Sequence, residues 1–291
     1  MSNIGLIIEE RSRDIGDFLV GRLIPFRKKR MIGPFIFIDH MGPTTLGPKH
    51  YMDVDQHPHI GLSTLTYMLE GEIMHEDSLG TKQLIQPGSV NWMTAGKGVS
   101  HTERTPEKLR SGTTFTAHGY QIWVALPAEL EDMEPSFHHI PAADLPRWTD
   151  GPASFTLVAG TGYGHTSPVP VYSPLFMVEV KNSDSYALNV SGQLKGEIGI
   201  CIVEGSITAC SEIIKKGNIL VSKVEDVCDI VLNEHTHLLL LFGGEAFSKE
   251  RHIYWNFVSS SKEKIANAKQ QWKTKTFPMM VDDTSYVPLP N

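Results

Sequence analysis

Gln56-His57-Pro58-His59 and Ser100-His101-Thr102-Glu103 each set two metal-ligating side chains two residues apart. In a β-strand, residues i and i+2 point to the same face. Each stretch can therefore aim a pair of ligands at one point, and two adjoining strands could deliver all four. Three imidazoles and one carboxylate suit a borderline divalent metal: iron, nickel, copper, manganese or zinc. The spacing thus predicts strands at both places and a metal centre made by His57, His59, His101 and Glu103.

The rest of the chain is compatible with that reading. Its 291 residues suffice for two domains of ordinary size or one large one. Hydrophobic residues make up 41% and charged residues 20%, the composition of a folding chain. A net charge of −7 argues against general nucleic-acid binding, which depends on neutralising phosphates. No apolar run approaches the ~20 residues of a membrane helix, and Leu238–Phe242 reads as a buried strand. Met1-Ser2-Asn3-Ile4 lacks the basic flank and apolar core of a secretory signal, so a cytoplasmic location is expected. Cys201, Cys210 and Cys228 form no close pair and are odd in number. They read as buried thiols rather than a disulfide framework.

Strand signals dominate. Phe35–Ile38, Thr64–Leu69, Gln121–Leu126, Leu175–Val180, Ile198–Val203 and Leu238–Phe242 are short apolar or β-branched runs, punctuated by Gly, Pro, Asn and Asp. Many short strands predict an all-β barrel or sandwich. One helix is expected near the C-terminus, with Ser260 and Glu263 as a capping box and Ile265, Ala268 and Trp272 on its buried stripe. A shorter helical piece is plausible around Ala128–Met133. The region 141–170 reads as containing the connection between two halves and a surface excursion, rich in Gly and turn formers around Gly160–Pro168.

A weak internal repeat divides the chain. Leu69-Glu70-Gly71-Glu72-Ile73 resembles Val203-Glu204-Gly205-Ser206-Ile207. His57 and His59 precede Glu70 by the intervals at which Ser191 and Gln193 precede Glu204. The expected domains are residues 1–141, carrying the metal, and 142–291, lacking its ligands.

In order and spacing, a longer series of motifs resembles the pirin family of the cupin superfamily. They include Gly33-Pro34-Phe35, Asp39-His40-Met41-Gly42-Pro43, His57-Pro58-His59, Leu69-Glu70-Gly71-Glu72 and His75-Glu76-Asp77-Ser78. Trp92–Gly98, His101-Thr102-Glu103, Gly243-Gly244-Glu245 and Trp255-Asn256-Phe257-Val258 continue it over nearly the whole chain. The resemblance implies an all-β fold of two cupin jelly-roll barrels packed face to face, with a C-terminal helix. It implies one divalent metal, usually iron(II), with nickel, copper, manganese or zinc as alternatives, on the same His57, His59, His101 and Glu103. It also implies either of two roles. One is a dioxygenase like quercetin 2,3-dioxygenase, acting on a small aromatic substrate and dioxygen with release of carbon monoxide. The other is a metal- or redox-dependent regulator acting through protein partners. Many cupins carry Glu four residues after the second His, where Ser63 stands here.

If the chain is an enzyme, Glu103 is the expected catalytic residue: ligand at rest and general base when a flavonol hydroxyl reaches the cation. Phe37, Met68, Trp92, Met93 and Trp123 could wall an aromatic pocket, although small barrels fill their interiors with such residues. His75 and Gln121 could orient a ligand, the alternative for His75 being an ordinary hairpin histidine. His235 and His237 alternate too, without an accompanying carboxylate pair. Arg27-Lys28-Lys29-Arg30 reads as a solvated turn or a contact for an acidic partner, and Asp39-His40 as a structural pair. There is no nucleophile elbow, phosphate-cradling loop or dinucleotide fingerprint. Direct nucleic-acid and membrane binding are not expected, and two fused barrels could leave a monomer.

Overall fold

The computed structural model describes residues 4–14, 19–48, 50–222, 229–233 and 237–290. These divide into two compact units, each discontinuous in sequence. The late unit comprises residues 1–11, 21–38 and 143–247, and the early unit residues 12–20, 39–142 and 248–291.

The late unit holds an eight-stranded antiparallel sheet at whose edge Ile4–Glu9 pairs with Asn218–Ser222. A second, four-stranded sheet runs Tyr186–Leu188, Ile230–Leu232, Ser206–Ala209, Glu212–Lys215. Inward positions such as Phe155, Leu157, Phe176, Val178, Ile200 and Leu241 form an apolar core. This interior is filled by hydrocarbon and aromatic rings, as the interiors of small barrels commonly are.

The early unit carries the strands that matter for the predicted centre: β1 (Asp53–His59), β2 (Leu62–Glu70), β3 (Ile73–Asp77), β4 (Lys82–Ile85), β5 (Val90–Thr94), β6 (Val99–Arg104), β7 (Phe115–Ala125) and β8 (Ser136–Ile140). One sheet has the order β1-β6-β3-β4. The facing strands run β8-β5-β2-β7 and continue onto the 39–46 part of Phe35–Leu46. Gly71 turns β2 into β3 at φ +79°, and Gly205 makes the corresponding turn of the late unit at φ +81°. A side chain at Gly71 would also strike the Thr116 carbonyl, at 2.5 Å from the added Cβ. The repeated Glu-Gly is therefore a repeated left-handed hairpin, which glycine alone adopts without strain.

The expected strands all fall within observed ones, Gln121–Leu126 running one residue past β7. The 141–170 region contains a change of unit at 142/143, but also the unexpected strands Arg147–Asp150 and Ala153–Gly162. The apolar run Phe155–Ala159 is short and flanked by Gly and Pro, so its turn residues masked a buried strand. Ala128–Leu130 is a single 3-10 turn, and Arg27-Lys28 tops a tight turn closed by Phe26 and Lys29. The cysteine reading needs correcting: Cys201 is a buried thiol, but Cys210 is disulfide-bonded. Its partner lies outside the described residues, as do Cys228 and His235; of His237 only the backbone is described. Sequence spacing could not show that pairing, since it depends on distant segments approaching in the fold. Among the described residues no helix is long and apolar enough to cross a membrane.

Helix α1 (Lys262–Lys273) forms where the apolar spacing placed it, burying Ile265, Ala268 and Trp272. Its cap is Ser261, one residue beyond the expected Ser260; Ser261 accepts the Lys264 N–H. Ser260 instead gives its N–H to the buried Glu131 carboxylate at 2.7 Å. Trp272 is fully buried, stacks on Tyr286 at 4.8 Å and donates to the Val287 carbonyl. The segment after the helix is thereby laid on the outer face of β1 and β6. There Gln56, fully buried, donates to the Asp283 carbonyl at 3.0 Å and accepts the Met280 N–H at 2.9 Å. Ser100 donates to the Pro278 carbonyl at 2.7 Å. Trp272→Ala should destabilise the early unit by about 3–5 kcal/mol, the usual cost of emptying an aromatic core site. Urea unfolding measures this; a loss below about 1 kcal/mol would contradict the anchoring role.

Candidate metal centre

Strand alternation turns Gln56 and Ser100 outward and His57, His59, His101 and Glu103 inward. β1 and β6 are antiparallel neighbours with His101 directly opposite His57 and Val99 opposite His59. β6 also pairs β3, placing His75 opposite Glu103 and Asp77 opposite His101. A bulge between His101 and Glu103 shifts the register, so Glu103 faces Val54. Three strands thus present five candidate donors and Asp77 to one interior.

His57, His59 and His101 each offer a ring nitrogen within 4.8 Å of the others, a set that could hold a metal ion. His59 Nε2 and His101 Nε2 are 3.1 Å apart. Two donors about 2.1 Å from one cation at a right angle would lie about 3 Å apart, so this spacing fits. His57 Nδ1 donates to the Asp55 carbonyl at 2.8 Å, which leaves Nε2 with its lone pair. The Asn256 backbone lies beside His59, although His59 Nδ1 makes no hydrogen bond of normal geometry.

Glu103 is placed differently from the simplest expectation. Its carboxylate groups with His75 and His101 within 4.8 Å, and the three-imidazole set does not include it. His101 belongs to both groups. Thr66, on β2, donates to Glu103 Oε1 at 2.9 Å and lies 2.9 Å from Gln121 Oε1. Gln121 is linked to Glu103 through Thr66.

Of the expected pocket walls, Trp123 sits edge-on to His59 with centroids 5.0 Å apart. Met93 clusters with Phe137, which stacks on His75 at 4.6 Å. Met68 packs into the apolar floor with Ile73 and Ile85. Trp92 is fully buried, with its Nε1 lacking a partner, and Phe37 belongs to the late unit. Thr66, Asp77 and Phe137 were not singled out by sequence. Asp77 had a signal, since His75-Glu76-Asp77 repeats the i, i+2 spacing on the adjoining strand.

The site is closed. His101 is 0% exposed, His59 1%, and His57 and Glu103 8% each. A cleft of about 380 Å³ lies in the late unit, lined by His165, Gln193, Lys195 and Glu245. A groove of about 150 Å³ lies between β-strands and α1, lined by Gly61, Lys97 and Asn267; neither includes a candidate ligand. Closure sets the protonation. Burial lowers the His57 pKa to about 4, the Asp55 hydrogen bond opposing it. Burial, then the neighbouring imidazoles, holds His59 and His101 well below the ordinary histidine value. Burial raises Glu103, against the pull of His75 and Thr66. Neutral imidazoles are the form that binds a cation, so the donor chemistry fits one.

A sign follows for stability. Because His57 titrates lower in the folded state than unfolded, the unfolded chain binds protons first as pH falls. The stability present above about pH 6.5 should be lost progressively toward pH 4, by about 3 kcal/mol for His57 alone. His59 and His101 steepen the loss. Urea midpoints of metal-free protein between pH 7 and pH 4 test this, and a flat profile would contradict neutral, buried rings.

Comparison with known proteins agrees with this architecture. Residues 18–124 match the Pirin family model, and residues 176–278 match the Pirin C-terminal cupin domain. A pirin-like protein of Caulobacter vibrioides is 42% identical, with 99% of each chain covered. A Pseudomonas aeruginosa protein provisionally named quercetin 2,3-dioxygenase is 39% identical over 91% of this chain and 82% of its own. A crystal structure of quercetin 2,3-dioxygenase from Acinetobacter baumannii superposes with a TM-score of 0.88 at 35% identity, covering 98% and 95% of the two chains. A bacterial pirin from Escherichia coli, solved with nickel(II), shares the fold at 17% identity and a TM-score of 0.63, covering 83% of this chain and 99% of its own. Two cupin domains, mostly β and followed by one C-terminal helix, make this chain a member of the pirin family.

Proposed function

We propose that this pirin is a metal-dependent dioxygenase that opens the central ring of a flavonol such as quercetin with dioxygen. The supporting observation is the pairing of neutral, convergent imidazoles with a buried carboxylate whose pKa is raised. His57, His59 and His101 would hold the divalent cation, iron(II) first among candidates, with Glu103 as the fourth ligand when no substrate is present. When bound, the cation supplies Lewis-acid polarisation and electron transfer to oxygen.

The protein's own groups do the rest. Thr66 anchors Glu103 Oε1 by its 2.9 Å hydrogen bond, and Oε2 is assigned to receive the flavonol 3-hydroxyl proton. A carboxylate with a raised pKa is the better acceptor, because it lies nearer the acidity of a polarised phenol. Trp123 and Phe137 cover His59 and His75 with aromatic surface and exclude water from the centre. The resemblance to proteins named quercetin 2,3-dioxygenase supports the substrate class.

A second reading is favoured by the closure itself. The candidate ligands are between 0% and 8% exposed, so little of the centre itself faces bulk solvent. A regulator would need only the cation's charge to alter the surface of the early unit, and protein partners would read that change.

Metal-free protein loaded anaerobically with iron(II), nickel, copper or manganese, then given quercetin in air, separates the two. The enzymatic reading expects flavonol absorbance to disappear and carbon monoxide to form with at least one metal. His101→Ala should lose metal and turnover together. Glu103→Gln should retain metal but lose at least ~100-fold in turnover. No turnover with any metal, beside iron(II)- and iron(III)-dependent partner capture, would replace this reading with the second.

A further inference from the structure

Beyond the ligands, a chain of buried polar contacts runs along the interior face of β3 and β6. Asp77 Oδ1 accepts the backbone N–H groups of Leu79 and Thr81 at 2.9 and 3.0 Å. Its other oxygen, Oδ2, faces His75 Nε2 at 3.0 Å. His75 Nδ1 in turn faces His101 Nδ1 at 3.2 Å. His101 Nε2 then faces His59 Nε2 at the three-imidazole centre. Exposure of the three linked residues is 4%, 2% and 0%, so bulk solvent does not reach them.

With His75 neutral, counting protons along this chain gives one arrangement. A neutral imidazole has one N–H, so one ring nitrogen donates while the other accepts. A carboxylate turned by two backbone N–H groups presents an acceptor to His75. His75 therefore carries its proton on Nε2, and its Nδ1 must accept. His101 then carries its proton on Nδ1, and its lone pair is on Nε2, the atom aimed at the centre. His57 obtains the same outcome locally, from the carbonyl of Asp55 two residues before it. His101 obtains it from the next strand.

We propose that Asp77, acting through His75, sets the tautomer of His101 and so makes His101 Nε2 available to a cation. Asp77 and His75 are positioning residues, linked to the ligand by a wire with a fixed direction. The proposal deepens the metal-binding reading and rests on it only for its consequence; the tautomers themselves exist without metal.

The wire can be reversed with almost no change of shape. In Asp77→Asn, the amide oxygen keeps the Leu79 and Thr81 N–H groups, which turns NH₂ toward His75 Nε2. His75 must then carry its proton on Nδ1, forcing the His101 proton onto Nε2. Asp77→Ala removes the instruction without inverting it. His75→Asn puts a carbonyl oxygen near the position of Nδ1 and preserves an acceptor for His101, whereas His75→Leu does not.

Imidazole nitrogen NMR of metal-free protein reads the tautomers, and nickel(II) titration reads the consequence. His101 should be Nδ1–H in the wild type and Nε2–H in Asp77→Asn. Nickel affinity should fall at least 10–100-fold in Asp77→Asn, less in Asp77→Ala, with His75→Asn closer to wild type than His75→Leu. A wild-type tautomer in Asp77→Asn, or tighter nickel binding by folded Asp77→Asn than by folded Asp77→Ala, would overturn the proposal. So would a loss in His75→Ala as complete as in His101→Ala while His57→Ala still binds, since His75 would then itself be a ligand. If wild-type protein takes up no metal, the proposed function falls and the NMR comparison still decides the wire.

Discussion

Three imidazoles forced against one another away from water are the constraint around which the early unit is built. Ring centroids of His57 and His101 are only 4.3 Å apart, and those of His59 and His101 5.0 Å. Charging any one of them forfeits hydration, and charging two sets like charges side by side, so all three are held neutral. Neutral rings crowded nitrogen to nitrogen gain little from each other. A cation placed among them converts that crowding into coordination, which is why a cluster of this kind is better explained as a site than as a core.

What delivers the cluster is the two-residue period of the strand. On β1 and β6 every inward ligand alternates with an outward residue, and the outward ones are also committed. Gln56 and Ser100 fasten the C-terminal segment to the back of the same strands whose fronts carry His57 and His101. α1 and Trp272 bring that segment into place. Chain far away in sequence therefore fastens the strands on which the candidate ligands sit. The late unit shows the contrast: Ser191 and Gln193, which sequence intervals matched to the first histidine pair, lie in a turn rather than a strand, and its interior is apolar. Among the described residues both candidate metal groups lie in the early unit.

Much of this was legible in the sequence, for physical reasons that can be named. The i, i+2 rule located His57, His59, His101 and Glu103 because strand direction is local information. The buried stripe of α1 was equally local, and its cap was missed by only one residue because adjacent serines compete for it. What escaped depends on pairing between distant segments. Glu103 pairs with His75 across β6 and β3 and groups with it, while a bulge breaks its register against β1, and no spacing announces either. His75 could be read as an ordinary hairpin residue until β3 was seen beside β6. Cys210 was misread for the same reason, and the strand Ala153–Gly162 was hidden by its own turn residues.

The central claim is that one cation is held by nitrogen atoms of His57, His59 and His101. Crystals of the protein loaded with nickel or iron, measured on either side of that metal's absorption edge, test it directly. The account requires a single anomalous peak in the early unit, about 2.1 Å from Nε2 of all three histidines. A peak that excludes His57 and His59, or no peak in fully loaded protein, would contradict it.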